Sequence, residues 1–221
     1  YLDINTGPGR EDAPACMEWL VKTVQEVIDT PLCLDSPGPK TVEAGLKASE
    51  GQVIINSTTA EPKKMERFFP LAREYDSDIV CLTINEKGIP NSAESRTELA
   101  MMLITTALEF EVMPDRLFID PVILPIGAAQ DQAKVVIESV RQFRMLNDPP
   151  IRTIVGLSNV SNMAKERSLL NRTFLAMLMG AGLTAAIVDP EDRELMKIVK
   201  AGEILLNESL YCDDFLMHLR G

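Results

Sequence analysis

An Asp or Asn closes every apolar run of strand length in this 221-residue sequence: Leu2-Asp3-Ile4-Asn5, Leu34-Asp35-Ser36, Ile55-Asn56-Ser57, Ile84-Asn85, Ile119-Asp120-Pro121, Ser158-Asn159 and Val188-Asp189-Pro190. Singly, each suits a turn or a helix N-cap, where a short polar side chain bonds nearby backbone. Together, if the runs share one mouth, they make a ring of carboxylates and carboxamides. A carboxylate offers two acceptors side by side, and an amide offers one donor and one acceptor. Such a ring can match the edge of an amino-oxo heterocycle such as a pterin, or bind Mg²⁺ through its carboxylates. No Lys, His or Cys stands at a run's end. That disfavours Schiff-base chemistry, hydrolysis at a His-ligated metal and nucleophilic acyl transfer. The sole histidine, His218, lies close to the C-terminus and is expected to be solvated or to pack.

For the ring to form, a regular scaffold must bring these ends together. Strand candidates run over Tyr1–Asn5, Leu32–Asp35, Val53–Asn56, Ile79–Asn85, Leu117–Asp120, Ile151–Ser158 and Ala185–Asp189. Most lack polar alternation, as expected of strands covered on both faces. Between them lie apolar stripes at spacings of three and four. Met17, Leu20, Val21, Val24 and Ile28 form one, Leu99, Met102, Leu103, Thr106, Ala107 and Phe110 a second, and Ala133, Val136, Ile137, Val140 and Phe143 a third. Shorter helices fit Val42–Ala48, Met65–Tyr75, Phe174–Met179 and Leu195–Leu206. The alternation predicts an α/β fold with a parallel sheet. The expected architecture is a (βα)8 TIM barrel lacking its first βα unit, since no Gly-rich phosphate turn marks a doubly wound sheet. One domain, 1–221, is expected. The opening Tyr1-Leu2-Asp3-Ile4-Asn5, already strand-like and without an initiator Met, suggests an N-terminally truncated domain.

With 22 Lys+Arg against 33 Asp+Glu, the formal charge is −11. No basic block offers a counterion-release footprint, so neither nucleic acid nor an anionic membrane is an expected partner. At 46% apolar the chain can bury a sizeable core. Cys16, Cys33, Cys81 and Cys212 are widely spaced and suggest reduced thiols of a cytoplasmic protein. No apolar run reaches the ~20 residues of a spanning helix, and no signal peptide is recognisable.

Read in order, Leu2-Asp3-Ile4-Asn5-Thr6-Gly7-Pro8, Cys33-Leu34-Asp35-Ser36, Ile55-Asn56-Ser57-Thr58, Leu117-Phe118-Ile119-Asp120-Pro121 and Gly156-Leu157-Ser158-Asn159-Val160-Ser161 resemble the pterin-binding methyltransferase family. The similarity extends through Glu18-Trp19-Leu20-Val21, Asn171-Arg172-Thr173-Phe174-Leu175-Ala176 and Glu203-Ile204-Leu205-Leu206-Asn207, and is strongest to the methyltetrahydrofolate:corrinoid/iron-sulfur protein methyltransferases. The resemblance implies a (βα)8 barrel that binds folate at its C-terminal face. The family's pterin-holding Asp, Asn and Asp fall on Asp35, Asn56 and Asp120, and the Asn that approaches N5 falls on Asn159, the expected catalytic residue. Gly156 and Ser158 fall in the folate-lining segment, and Arg167 where an Arg follows the Asn loop. Position 162 is Asn where the family pattern has Gln.

The implied reaction moves the N5 methyl of methyltetrahydrofolate to Co(I) of a corrinoid (cobalamin) carried by a corrinoid/iron-sulfur protein, with no metal held tightly by this chain. A homodimer is implied as well. N5 must gain a proton or a strong hydrogen bond as its bond to the methyl breaks. The main competitor is dihydropteroate synthase, which shares the barrel and the pterin carboxylates. It carries a Ser-Arg-Lys-like segment where this chain has Ser158-Asn159-Val160, which disfavours it. A noncatalytic folate-binding subunit is the other alternative.

Overall fold

The computed structural model describes residues 1–7 and 11–211. Pro8, Cys212 and His218, named above, lie outside the described residues. Within them, strands and helices alternate as β1 (Leu2–Asn5), α1 (Ala13–Gln25), β2 (Leu32–Asp35), α2 (Pro39–Ala48), β3 (Val53–Thr59), α3 (Pro62–Glu74), β4 (Asp78–Leu82) and α4 (Ala93–Glu109). They continue as β5 (Leu117–Asp120), α5 (Gln132–Phe143), β6 (Arg152–Gly156), α6 (Arg167–Ala181), β7 (Ala185–Ile187) and α7 (Arg193–Leu205). The strands pair in sequence order in one seven-stranded sheet, with parallel register throughout. This is the α/β barrel expected, with seven of the eight strands of a (βα)8 barrel in consecutive order and β1 and β7 at the two edges.

The strands after β1 are largely apolar on both faces because each face meets a different layer. Ile4, Leu34, Ile55, Ile79, Leu117 and Ile119 point outward into a core shared with Met17, Val21, Val42, Leu46, Phe68, Phe69, Leu103 and Phe143 of the helices. A second outer cluster joins Val155 to Val136, Val140, Phe174 and Leu178. At ~1.5–3 kcal/mol per fully buried large apolar side chain, these layers supply most of the driving force. The alternate positions, Cys33, Ile54, Val80, Phe118 and Ile154, face inward and fill the lumen against Leu82, Ala185 and Ile187.

The helix ends follow local chemistry. Pro occupies the first turn of α1, α2 and α3, where its missing N–H costs nothing. The Ser92 hydroxyl accepts from Ser95 N–H at the start of α4, and the Asp192 carboxylate from Leu195 N–H at the start of α7. Helix α6 stops at Gly182, whose φ of +100° lets Leu183 N–H reach Leu178 O at 3.0 Å.

The N-terminal pole of the lumen is closed by charge and an aromatic ring. The Arg152 guanidinium lies 4.0 Å from the Phe118 ring centroid, and its Nη1 donates to Asp78 Oδ2 at 2.9 Å. The Asp78 side chain is 6% exposed and also receives Arg116 Nη1 at 3.5 Å. Asp78→Ala would leave Arg152, itself 32% exposed, without its carboxylate. After allowance for solvent on the arginine side, the expected loss is about 1–2 kcal/mol. That corresponds to a thermal midpoint lower by roughly 3–6 °C, measured by calorimetry.

Four of the expected strand ends need correction. β4 ends at Leu82, β6 at Gly156 and β7 at Ile187. Asn85, Asn159 and Asp189 therefore do not terminate strands. Asn85 Oδ1 accepts from Lys87 N–H in a turn closed by mutual backbone bonds between Asn85 and Gly88. Asp189 Oδ1 accepts from Glu191 N–H in the same fashion. Asn159 lies on a 3₁₀ turn, Leu157–Ser161. Conversely, β3 continues past Asn56 to Thr59, with a register shift between Asn56 and Thr58. Helix α1 ends before Ile28.

Candidate functional site

Period-two alternation carries the lumen-facing set upward from Cys33 to Asp35, from Ile54 to Asn56, from Phe118 to Asp120 and from Ile154 to Gly156. Asn5, Asp35 and Asn56 share one rung across β1, β2 and β3. On the next lumen-facing rung, Asp120 pairs with Leu82 of β4. Hydrogen bonds fix the first group. Asn5 Nδ2 donates to Asp35 Oδ2 at 2.6 Å, and Asn56 Nδ2 donates to Asp3 Oδ1 at 3.3 Å. Asn5 also anchors the following loop, since its Oδ1 accepts from Gly7 N–H at 2.6 Å. Asp3 and Asn5 are thus more than turn residues: β1 aims the polar groups of β2 and β3.

This wall is acidic, with Asp3, Asp35 and Asn56 half-buried and Asn5 exposed. Burial raises the Asp35 pKa above the ordinary carboxylate value, the Asn5 hydrogen bond opposes that, and the Asp3 charge raises it further. Cys33, beneath the two acids, has its thiol pushed far up, by burial first and then by Asp3. It is a neutral filler of the lumen.

Asp120 is 8% exposed. Burial pushes its carboxyl up to about 7, against the Val122 N–H bond and the Arg96 charge, which both lower it. Its Oδ1 accepts from Val122 N–H at 2.6 Å across a turn in which Val122 adopts φ +65°. The Asp120 backbone carbonyl accepts from Thr83 N–H and Oγ1, each at 3.0 Å, locking the top of β5 to β4.

The fourth side of the mouth is the 3₁₀ turn after β6. The Asn159 side chain lies against Gly156. A Cβ at Gly156 would meet Asn159 Nδ2 at 3.0 Å, so a larger residue would displace the amide. Ser158 and Asn159 are exposed to solvent. Ile126 N–H donates to Val160 O at 2.9 Å and ties this turn to the loop after Asp120. Arg167, the first residue of α6, donates from Nε to Ser161 Oγ at 3.3 Å, and Ser161 Oγ donates to Ser158 O at 3.2 Å. Arg167 thus braces the turn. It also lines a cavity of about 310 Å³ with Ser158, Asn171, Asp189 and Asp192 between the tops of β6 and β7.

A match to the pterin-binding enzyme family model covers residues 2–189, the span from β1 to just past β7. The chain belongs to the pterin-binding enzyme family. A methylcorrinoid:tetrahydrofolate methyltransferase from Eubacterium limosum is 31% identical to this pterin-binding enzyme over 217 residues, 96% of this chain and 79% of the relative. Methionine synthase from Mycobacterium tuberculosis is 30% identical over 200 residues, which are 85% of this chain but 17% of that protein. Dihydropteroate synthase from Thermus thermophilus, solved with 6HMPPP, superposes with a TM-score of 0.68 at 15% identity, covering 95% of this chain and 81% of that one. The Yersinia pestis dihydropteroate synthase superposes with a TM-score of 0.69 at 11% identity, over 93% and 82% of the two chains. These superpositions show the shared barrel.

Sequence reasoning about this pterin-binding enzyme missed Arg96 and Gln132. Arg96 is fully buried although it carries a charge, and Gln132 is 5% exposed. The available signal was the register of α4. Ala93, Arg96, Ala100, Leu103 and Ala107 fall on one buried stripe, and an arginine there needs acceptors. Among the described residues, no group of three His, Cys, Asp or Glu side chains is placed to hold a metal ion, and no helix is long and apolar enough to cross a membrane.

Proposed function

We propose that this chain transfers the N5 methyl of methyltetrahydrofolate to Co(I) of a corrinoid held by a separate protein, or runs the reverse transfer. The observation that carries this reading is the placement of Asp35, Asn56 and Asp120 on the lumen face at the C-terminal ends of three strands, the end of the barrel at which the Asn159 turn follows β6. Its family membership and its likeness to a methylcorrinoid:tetrahydrofolate methyltransferase support it.

In this assignment Asp120 and Asp35 accept the ring N–H and amine donors of the pterin, and Asn56 pairs with its acceptor edge. Gly156 and Ser158 line the ring, and Arg167 steadies the turn that covers it. Holding the methyl in line with an approaching nucleophile lowers the barrier by several kcal/mol through orientation alone, an effect on the order of 10 kcal/mol at its upper limit.

The Co(I) electron pair attacks the methyl carbon as the carbon–nitrogen bond breaks, and that bond's electron pair remains on N5. N5 takes up a proton, leaving tetrahydrofolate and methyl-Co(III). Asn159 stabilises N5 as it gains proton character, because its amide is polar, reorientable and next to the open mouth. The corrinoid arrives as a substrate on its own protein, a corrinoid/iron-sulfur protein or its equivalent, so the mouth must admit a docking domain. A homodimer is the assembly proposed for the chain itself.

The decisive experiment mixes the protein with methyltetrahydrofolate and a reduced corrinoid protein and follows the cobalt spectrum. Conversion of Co(I) to methyl-Co(III) with one equivalent of tetrahydrofolate formed is the expected result. Folate binding without conversion would instead favour a noncatalytic subunit.

A further inference from the structure

Arg96 makes three donor contacts that reach separate parts of the site's support. Its Nε donates to Pro90 O at 2.9 Å in the loop after β4, and Nη1 to Val122 O at 3.3 Å in the turn after β5. Its Nη2 donates to Gln132 Oε1 at 2.6 Å on α5. Gln132 is anchored in turn, since its Nε2 donates to Asn91 O at 3.2 Å and to Asp131 Oδ2 at 3.0 Å. The guanidinium therefore sits at a junction of α4, α5 and two loops, and every acceptor it touches directly is neutral.

We propose that Arg96 is a positioning residue for Asp120: by fixing the Val122 carbonyl to α4 and α5, it sets the turn through which the Asp120 carboxylate is presented to the lumen. Val122 is the link. Its N–H binds Asp120 Oδ1 while its carbonyl is held by Arg96. A residue at φ +65° is unfavourable for a β-branched side chain, so the turn needs outside support. The planar fork of Arg spans three acceptors at fixed angles, which the point charge of Lys cannot do.

Among the described residues, Arg96 from α4 is the charged group that bears on Asp120. Asp3 from β1 bears on Asp35, and the groups that meet Asp120 from β4 and the loop after it, Leu82 and Thr83, are uncharged. Charge and geometry can therefore be separated by substitution. Arg96→Lys keeps the charge and loses the fork, whereas Arg96→Gln loses both. Gln132→Leu removes the brace and leaves the arginine in place.

The proposal rests on the folate reading for its functional consequence, but its structural core is testable without ligand. ¹³C-NMR titration of the Asp120 carboxylate in ligand-free protein, assigned by its disappearance in Asp120→Asn, should give an upward-shifted midpoint in Arg96→Lys and Gln132→Leu, where the loosened turn weakens the Val122 N–H bond, and a larger shift in Arg96→Gln, which also removes the charge. Tetrahydrofolate should bind roughly tenfold more weakly to Arg96→Lys and to Gln132→Leu, the effect of one well-aligned hydrogen bond. All variants are checked for cooperative unfolding. If Arg96→Gln fails to fold, Arg96→Lys and Gln132→Leu carry the test. Wild-type midpoints together with wild-type folate affinity in folded variants would overturn the proposal. Failure of wild-type protein to bind folate would remove the functional reading while leaving the titration result to stand.

Discussion

Asn159→Ala is expected to bind methyltetrahydrofolate within a few-fold of wild type while kcat for methyl transfer falls by roughly 100-fold or more. The asymmetry follows from where the interaction is made. In the ground state N5 is a tertiary amine with little need of a partner, and it acquires proton character only as the methyl leaves. A contact that strengthens along that path lowers the barrier without greatly tightening the bound substrate. The position of Asn159 fits such a role. It lies on a short exposed turn against Gly156, whose lack of a side chain leaves room for the amide. Single-turnover kinetics with a reduced corrinoid protein, paired with equilibrium folate titration, separates the two quantities. Equal losses in binding and in turnover of bound folate would refute this division of labour.

Asp120→Asn should act in the opposite way, weakening folate binding by roughly 100-fold through loss of charge-assisted acceptance from two ring donors. It should also abolish a pH dependence. In the free protein burial holds this carboxyl at about 7. Pterin N–H donors favour the ionised form, so binding below neutrality must release a proton. Affinity should therefore rise up to tenfold per unit as pH approaches 7 and level off above it. The asparagine variant should show a flat profile between pH 6 and 9.

Stability provides an independent check. The native state holds the Asp120 proton more tightly than the unfolded chain does. Its contribution is thus fully present below the ordinary value of 3.8 and is lost as pH rises through about 7. The thermal midpoint of Asp120→Asn relative to wild type should accordingly climb between pH 5 and 8.

Part of the candidate site was legible in the sequence, for a physical reason. Strands buried on both faces have few polar residues to explain, so the Asp and Asn residues at the ends of apolar runs stand out, and the family resemblance singles out Asp35, Asn56 and Asp120 among them. Parallel register then placed the first two on one rung and the third beside Leu82. The same rule misplaced Asn85, Asn159 and Asp189, because β4, β6 and β7 stop at Leu82, Gly156 and Ile187: Asn85 and Asp189 fix loops beyond the strand ends, and Asn159 lies on a 3₁₀ turn. A turn role alone does not describe Asn5, which holds Asp35 and anchors the following loop through its two amide atoms. Arg96 was invisible to any inspection of strand ends. Its partners are backbone carbonyls and a glutamine amide, which carry no pattern in the sequence.

The polar quartet Asp3, Asn5, Asp35 and Asn56 is assembled entirely within β1, β2 and β3, while Asn159 sits on a turn braced by Ser161, Arg167 and Ile126. On the proposed reading, the part of the grip built on β1, β2 and β3 and the reactive turn occupy modules that share little covalent scaffolding, with Asp120 and its loop between them. Exchange of the segment 157–166 would then be expected to alter the transformation before it altered which ring is held.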